Sequence, residues 1–438
     1  MNHITPNDSA VQGSTDVERI QNAIRLAKET GINSVLIPRK NLKGEERWTI
    51  DNTILLPSDI TIYLDNCVLW TPKEVCCNIF RNENYGTQLG KTMAGEQHYI
   101  NIIGLGTALL DGGEYNEISE STAGKNGLPR IYNNCMILMS NVCHVQIKNL
   151  KIRHQRWWAI CFAYSRKVHV CDIHFHADFA YRDANGNRCT DRTARKEYEC
   201  YVKNADGIDL RNGCHDFVIE NISGRTEDDS VALTTLQGKW YKEDYVEGKD
   251  NDIHNVIINK IHTDCLETAN IRLTCADGNK IYNIDISSVI DTSPEDAIYS
   301  SGGNIKINDS YYHKIRISEP GEMYNIRIDG VYAKGVYAVV FKQQASNVSI
   351  KNVYQNNPKG YAVAHTQGDG FLWGNVGPFV YNNISIENVF YSQPPLVDYG
   401  IKFANCELNN FNVGFVGEEV KTFIGSKPEE IKTKPANK

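Results

Sequence analysis

A chain of 438 residues is longer than one compact core usually grows, about 250–300 residues, yet no Pro-, Gly- or Ser-rich linker divides it. A formal net charge of -7 with no basic block argues against nucleic acid as the main partner. No run of about 18 apolar residues occurs, so no membrane-spanning helix and no membrane partner are expected.

The N-terminal stretch MNHITPNDSA lacks a charged region followed by an apolar one, so no signal peptide is read. The cytoplasm is therefore the expected location; the chain would be secreted or periplasmic if a leader had been removed. The 13 cysteines are scattered and odd in number. Cys76 with Cys77, or Cys189 with Cys200, could pair, but buried free thiols in a reducing compartment are the plainer expectation.

The first predicted element runs from Thr15 to roughly Thr30. Thr15 and Glu18 form a capping-box pattern, and Val17, Ile20, Ala23, Ile24 and Ala27 recur at helical spacing. From about residue 48 the period changes to two. Segments of alternating apolar residues then recur: ITIYLDN from Ile60, YINIIGL from Tyr99, HVQIKNL from His144, KVHVCDI from Lys167 and DFVIENI from Asp216. NVIINKI from Asn255, NIDISSV from Asn283, NIRIDGV from Asn325, NVSIKNV from Asn347 and NISIENV from Asn383 follow.

The closest spacings between these segments are roughly 22–28 residues, a unit too small to bury its own apolar face, so neighbouring units must stack. The Leu-x-x-Leu-x-Leu pattern of leucine-rich repeats is absent, and the units are too short for propeller blades. The reading is all-β: a single-stranded right-handed parallel β-helix over residues 1–425, capped by the N-terminal helix, with a polar tail over 426–438. Asn149, Asn221, Asn352 and Asn388 are expected at turns, stacked into a ladder. Insertions are read at roughly 182–203, 236–252, 305–321 and 356–378, and solenoid insertions often build a binding face.

Two consecutive coils carry Asn204-Ala205-Asp206-Gly207-Ile208-Asp209 and Glu227-Asp228-Asp229-Ser230. Strands about 4.8 Å apart would present Asp206, Asp228 and Asp229 from one wall. Crowded carboxylates raise at least one pKa, and one protonated plus one ionised carboxyl is what glycoside hydrolysis uses. Asp-Gly is also a common turn signal, and Asp209 is expected to hold that turn.

NADGIDL followed by EDDSVAL one coil later resembles glycoside hydrolase family 28, the polygalacturonase and rhamnogalacturonase group. GLGTALLDGGE from Gly104 and RWWAICF from Arg156 extend the resemblance to roughly residues 15–290. It implies that Asp228 is the general acid, that Asp206 and Asp229 activate water, and that the anomeric carbon inverts. Two departures stand out. The family's Gly-His-Gly is matched by Thr268-Ala269-Asn270-Ile271-Arg272, and its Arg-Ile-Lys falls near Ala297-Ile298-Tyr299. Arg272 is the candidate replacement cation, with Asn204, Trp158, Trp240 and Tyr299 as further substrate-binding candidates.

Trp157, Trp158, Tyr181, Trp240, Tyr241 and Tyr245 suit stacking on sugar rings. Because alternate strand residues face opposite ways, one of Trp157 and Trp158 is expected in the core and one outside. Phe371-Leu372-Trp373 could close a groove. His154, His174 and His176 lack a completing ligand set, so no metal and no cofactor are expected. A carbohydrate is the expected partner, and the oligomeric state is not legible. Two competing readings are a Ca²⁺-dependent polysaccharide lyase and a non-catalytic carbohydrate-binding β-helix.

Overall fold

The computed structural model describes residues 2–114, 124–125, 130–177, 206–236, 245–266, 268–294, 302–309, 316–366 and 378–425. The helix forms as Asp16–Glu29. Thr15 accepts from the Glu18 backbone N–H, and the Glu18 carboxylate accepts from the Thr15 N–H. This capping box satisfies two of the helix's four orphan donors. Val17, Ile20, Ala23, Ile24 and Ala27 are buried against the first coils, so the helix covers the open end of the core as expected.

From Ser34 onward the described elements are strands apart from three short 3-10 turns, and among the described residues non-consecutive strands pair in parallel to make one fifteen-stranded and one twelve-stranded sheet. In the first sheet Val142–Arg153, Arg166–His176, His215–Thr226 and Ile253–Cys265 lie side by side. In the second, Ile160–Ala163, Ile208–Leu210, Val231–Thr235, Ile271–Cys275 and Ile305–Ile307 do the same. A chain that visits the two sheets alternately is a parallel β-helix. Its core is built from rows such as Val168, Phe217, Val256, Ile284, Ile326, Val348 and Ile384, one residue per coil in register. All seven are buried, and each fully buried side chain of this kind contributes about 1.5–3 kcal/mol.

The asparagines have a specific job at the bends. Asn149, Asn221, Asn352 and Asn388 all adopt φ near +55, a left-handed conformation that Asn tolerates better than most residues. Asn388 donates to Asn352, Asn352 to Asp329 and Asn221 to Asp172. A longer ladder stands at the start of the first-sheet strands. Asn410, Asn383, Asn347, Asn325, Asn283 and Asn255 each donate to the residue one coil back, ending on the Asp216 carboxylate at 2.9 Å. The periodic Asn is thus a turn residue whose amide satisfies its neighbour.

Two expected insertions are smaller than read. Residues 305–321 begin with the strand Ile305–Ile307, and 356–378 contain the strand Tyr361–His365. Both are short strands whose alternation is too brief to stand out. Residues 182–203, Cys189 and Cys200, Tyr181, Tyr241, Phe371-Leu372-Trp373 and the tail 426–438 lie outside the described residues. None of the eleven described cysteines, Cys76 and Cys77 among them, forms a disulfide with another described residue. Among these residues no helix is long and apolar enough to cross a membrane.

Candidate active site

The site lies where the chain turns into the second sheet. Ile208 pairs with Val231, and Val231 with Ile271. Extending that register backward sets Asp206 beside Asp229 and Asp228 beside Thr268. The backbone follows it: the Gly207 N–H donates to the Asp229 carbonyl at 2.8 Å, and the Ser230 N–H to the Ala269 carbonyl at 3.0 Å. Asp206 therefore stacks on Asp229, one residue further along than Asp228.

Gly207 is not the turn glycine that the sequence suggested. It lies at the inner corner, where an added Cβ would fall 2.3 Å from the Ser230 carbonyl oxygen and 2.8 Å from the Phe175 ring. The corner needs the space and not a left-handed φ. With residue 207 turned inward, Asp206 faces outward. Gly207→Ala is expected to destabilise by about 1–3 kcal/mol through overpacking, read as a lower urea midpoint at unchanged m-value. An unchanged midpoint would remove this account of the corner.

Outward positions on the second sheet run Cys161, Asp209, Ala232, Arg272, Lys306 from coil to coil. Asp209 is thus mid-strand and fully buried, not a turn holder. Arg211 donates to its Oδ1 at 2.5 Å, and the Arg211 guanidinium lies 3.7 Å over the Trp158 ring. Arg272 Nε sits 2.9 Å from Asp229 Oδ2. The Thr268 hydroxyl contacts Asp228 Oδ1 at 2.7 Å and also Asp229 Oδ1. The Asp229 N–H donates to Asp228 Oδ1.

These contacts set the electrostatics. Burial, then its neighbours Asp209, Asp228 and Asp229, holds the Asp206 carboxyl well above the usual carboxylate range, with Arg272 opposing. Burial pushes Asp229 up to about 6, and Arg272 pulls against it. Burial likewise pushes Asp209 up to about 7 against Arg211. Asp206 Oδ1 is buried and meets no hydrogen-bond partner among the described residues. A threonine hydroxyl has one proton to give. Bridging two carboxyl oxygens, Thr268 either shares that proton between them or accepts one from a protonated carboxyl. With Asp206 and Asp229 both pushed up, the cluster favours mixed protonation.

Of the residues singled out from the sequence, Asp206, Asp228, Asp229 and Arg272 come together. Asn204, Trp240 and Tyr299 lie outside the described residues. Trp157 and Trp158 are both buried, contrary to the expected split. They precede the strand at Ile160, so strand alternation does not govern them, and they pack with Tyr132, Cys135, Leu138, Cys161 and Leu236. With Arg211 on one face of Trp158, that ring shapes the wall and is no open sugar platform. The strand beside Arg272 is Ile305–Ile307, so the next cation of the row is Lys306, not a residue near Tyr299. Thr268, Arg211 and Lys306 were missed as site residues. The alternating Asn304-Ile305-Lys306-Ile307 could have revealed the last. His174 is exposed and meets Ser223 Oγ at 3.0 Å, and His176 is exposed too.

A buried carboxylate cluster on the wall of a parallel β-helix defines the molecule's class. No family model matches the chain, and no curated protein matches its sequence. Solved structures share the fold. The surface adhesin PfbA of Streptococcus pneumoniae is 13% identical with a TM-score of 0.52, covering 95% of this chain and 91% of its own. The Family 28 exopolygalacturonase of Yersinia enterocolitica is 13% identical with a TM-score of 0.52, over 96% of this chain and 79% of that one. The hyperthermoactive exopolygalacturonase of Thermotoga maritima is 14% identical with a TM-score of 0.51, over 94% and 91%.

Proposed function

We propose that this chain is a glycoside hydrolase that cleaves O-glycosidic bonds in a polysaccharide or oligosaccharide, with pectin-derived fragments among the candidates. The observation that carries the reading is the Thr268 bridge between Asp228 and Asp229 beside a buried Asp206. It brings three carboxyl groups of unlike environment together, although two that share one hydroxyl stand closer than the about 6.5–9.5 Å usual for inverting enzymes. The fold, shared with two exopolygalacturonases, is compatible; since an adhesin shares it as well, the carboxylates rather than the fold favour hydrolysis.

In the proposed mechanism Asp228, half-exposed at the rim, gives its proton to the leaving oxygen. Asp229, with Asp206 beside it, takes a proton from water as that water attacks the anomeric carbon; the inverting outcome rests on the sequence resemblance and not on the carboxyl spacing. Arg272 keeps Asp229 ionisable in its buried position. Lys306, on the same outward row, offers a cation for an acidic sugar. Inversion is tested by proton NMR of the first-formed anomer.

Asp229 must be ionised to act as base. Since burial pushes it up to about 6, kcat/KM is expected to rise with pH through that value. Arg272 pulls this pKa down, so Arg272→Gln is expected to move the rising limb to higher pH. A profile with no limb between about pH 5 and 7 would exclude Asp229 as the base.

The lyase reading fares worse on these contacts. Arg272 is engaged by Asp229 at 2.9 Å, and a guanidinium with a pKa above about 12 is a poor proton abstractor. Carboxyls that favour protonation are also poor Ca²⁺ ligands. Screening pectic, rhamnogalacturonan and other oligosaccharides for released reducing sugar tests the proposal. Loss of activity with a chelator, together with an ultraviolet-absorbing product, would replace it with a lyase. No release from any of them would favour the non-catalytic reading.

A further inference from the structure

The register that gathers carboxylates on the second sheet gathers a different donor set on the first. His98, in Gln97–Leu105, stands directly opposite Cys143, in Val142–Arg153. In parallel strands about 4.8 Å apart, their side chains leave the same face side by side. The following residue, His144, has φ 57. That left-handed bend keeps its ring beside the thiol, with Cys143 Sγ 3.1 Å from His144 Nδ1.

One ligand atom from each of His98, Cys143 and His144 lies within 4.8 Å of the other two. The Tyr99 ring stacks on His144 at 4.8 Å between centroids and limits its rotation. Cys143 is buried while both histidines are half-exposed, so the donors converge from the wall toward solvent.

We propose that His98, Cys143 and His144 form a binding site for a zinc-class transition-metal ion, distinct from the carboxylate cluster on the second sheet. A tetrahedral ion with ligands at about 2.0–2.3 Å spaces them about 3.3–3.8 Å apart. The observed set must close by about 1 Å to meet that spacing, and the half-exposed His98 side chain can swing in. Binding converts the Cys143 thiol to thiolate and releases its proton to solvent. One thiolate and two imidazoles suit a borderline-soft ion and not oxygen-seeking Mg²⁺ or Ca²⁺.

Arg166 is the next residue in the row after Cys143, and both it and Lys249 hold Glu96, at 2.7 and 2.6 Å. Burial pushes the Cys143 thiol up and these cations oppose it, so the bound ion must itself draw off the proton. Glu96 also lies 4.0 Å from His98 Nδ1, beyond hydrogen-bonding distance. The fourth position is left to water on the solvent side. Such an ion would tie together two coils far apart in sequence.

The test is a Co²⁺ titration of the full chain, kept reduced. A near-ultraviolet sulfur-to-cobalt charge-transfer band and visible bands of tetrahedral intensity are expected, reaching their limit at one equivalent and displaced by Zn²⁺. Cys143→Ser should abolish the charge-transfer band. His98→Gln, a change at a half-exposed position outside the apolar core, should weaken Co²⁺ binding at least about tenfold. The proposal is overturned if no band forms, or if the band persists unchanged in both variants. Persistence would assign the metal to other thiols, such as Cys76 and Cys77.

Discussion

Asp228→Asn is expected to lower turnover by about 10²–10⁴-fold on any glycan the enzyme cleaves. The variant should also keep the unfolding midpoint of the parent chain. Asparagine preserves the shape and can still accept from the Asp229 N–H and from Thr268, so the two contacts to Asp228 Oδ1 survive. What it lacks is a proton acidic enough for a departing sugar oxygen. The loss should therefore depend on the leaving group. A nitrophenyl glycoside of the same sugar needs little protonation to depart and should suffer much less than the natural linkage. Steady-state kinetics on both substrates make the comparison. Equal losses on the two would mean that Asp228 positions the substrate and is not the acid; no loss on either would end its assignment altogether.

The fold was legible because a β-helix is nearly one-dimensional. Each segment starting at Asn255, Asn283, Asn325, Asn347 or Asn383 carries its own turn residue and its own alternation, and stacking neighbours is the one way to bury both. The acidic pair of coils was legible for the same reason. What could not be read was the pairing of positions across a corner. Asp209 looked like part of a turn because its neighbour is Gly207. The corner in fact turns residues 207 and 208 inward together and sends both Asp206 and Asp209 out. Lys306 was missed because the segment after Asp291 is long, and counting coils through it places the strand too early. Thr268 occupies part of a stretch notable for lacking histidine, and a hydroxyl bridging two carboxyls has no sequence signature. The His98, Cys143 and His144 pattern has no sequence signature because His98 lies far from the adjacent Cys143-His144 pair and meets it through register alone.

Arg272→Met is expected to destabilise the fold by about 3–5 kcal/mol at pH values where Asp229 is ionised, because it leaves a buried carboxylate without its counter-charge. Both partners are nearly inaccessible, Arg272 at 5% and Asp229 at 0%, so water cannot substitute for the guanidinium. The sign with pH follows from Asp229. Its folded pKa of about 6 is above the unfolded value, so the stability linked to its protonated form is complete at low pH and is lost as pH rises through the folded value. Removing Arg272 raises that folded pKa further, because the opposing cation has gone. The variant's deficit should accordingly be larger at about pH 8 than at about pH 5, where the carboxyl is neutral in both proteins. Urea titrations at the two pH values measure it. The double variant Arg272→Met with Asp229→Asn separates charge from packing. With the buried charge removed, most of the pH-dependent deficit should disappear, while any pH-independent loss reports the methylene stem of Arg272 that packs on the wall. A deficit of the same size at both pH values, unrelieved in the double variant, would show that Arg272 serves the wall by packing and does not hold Asp229 in its ionised form.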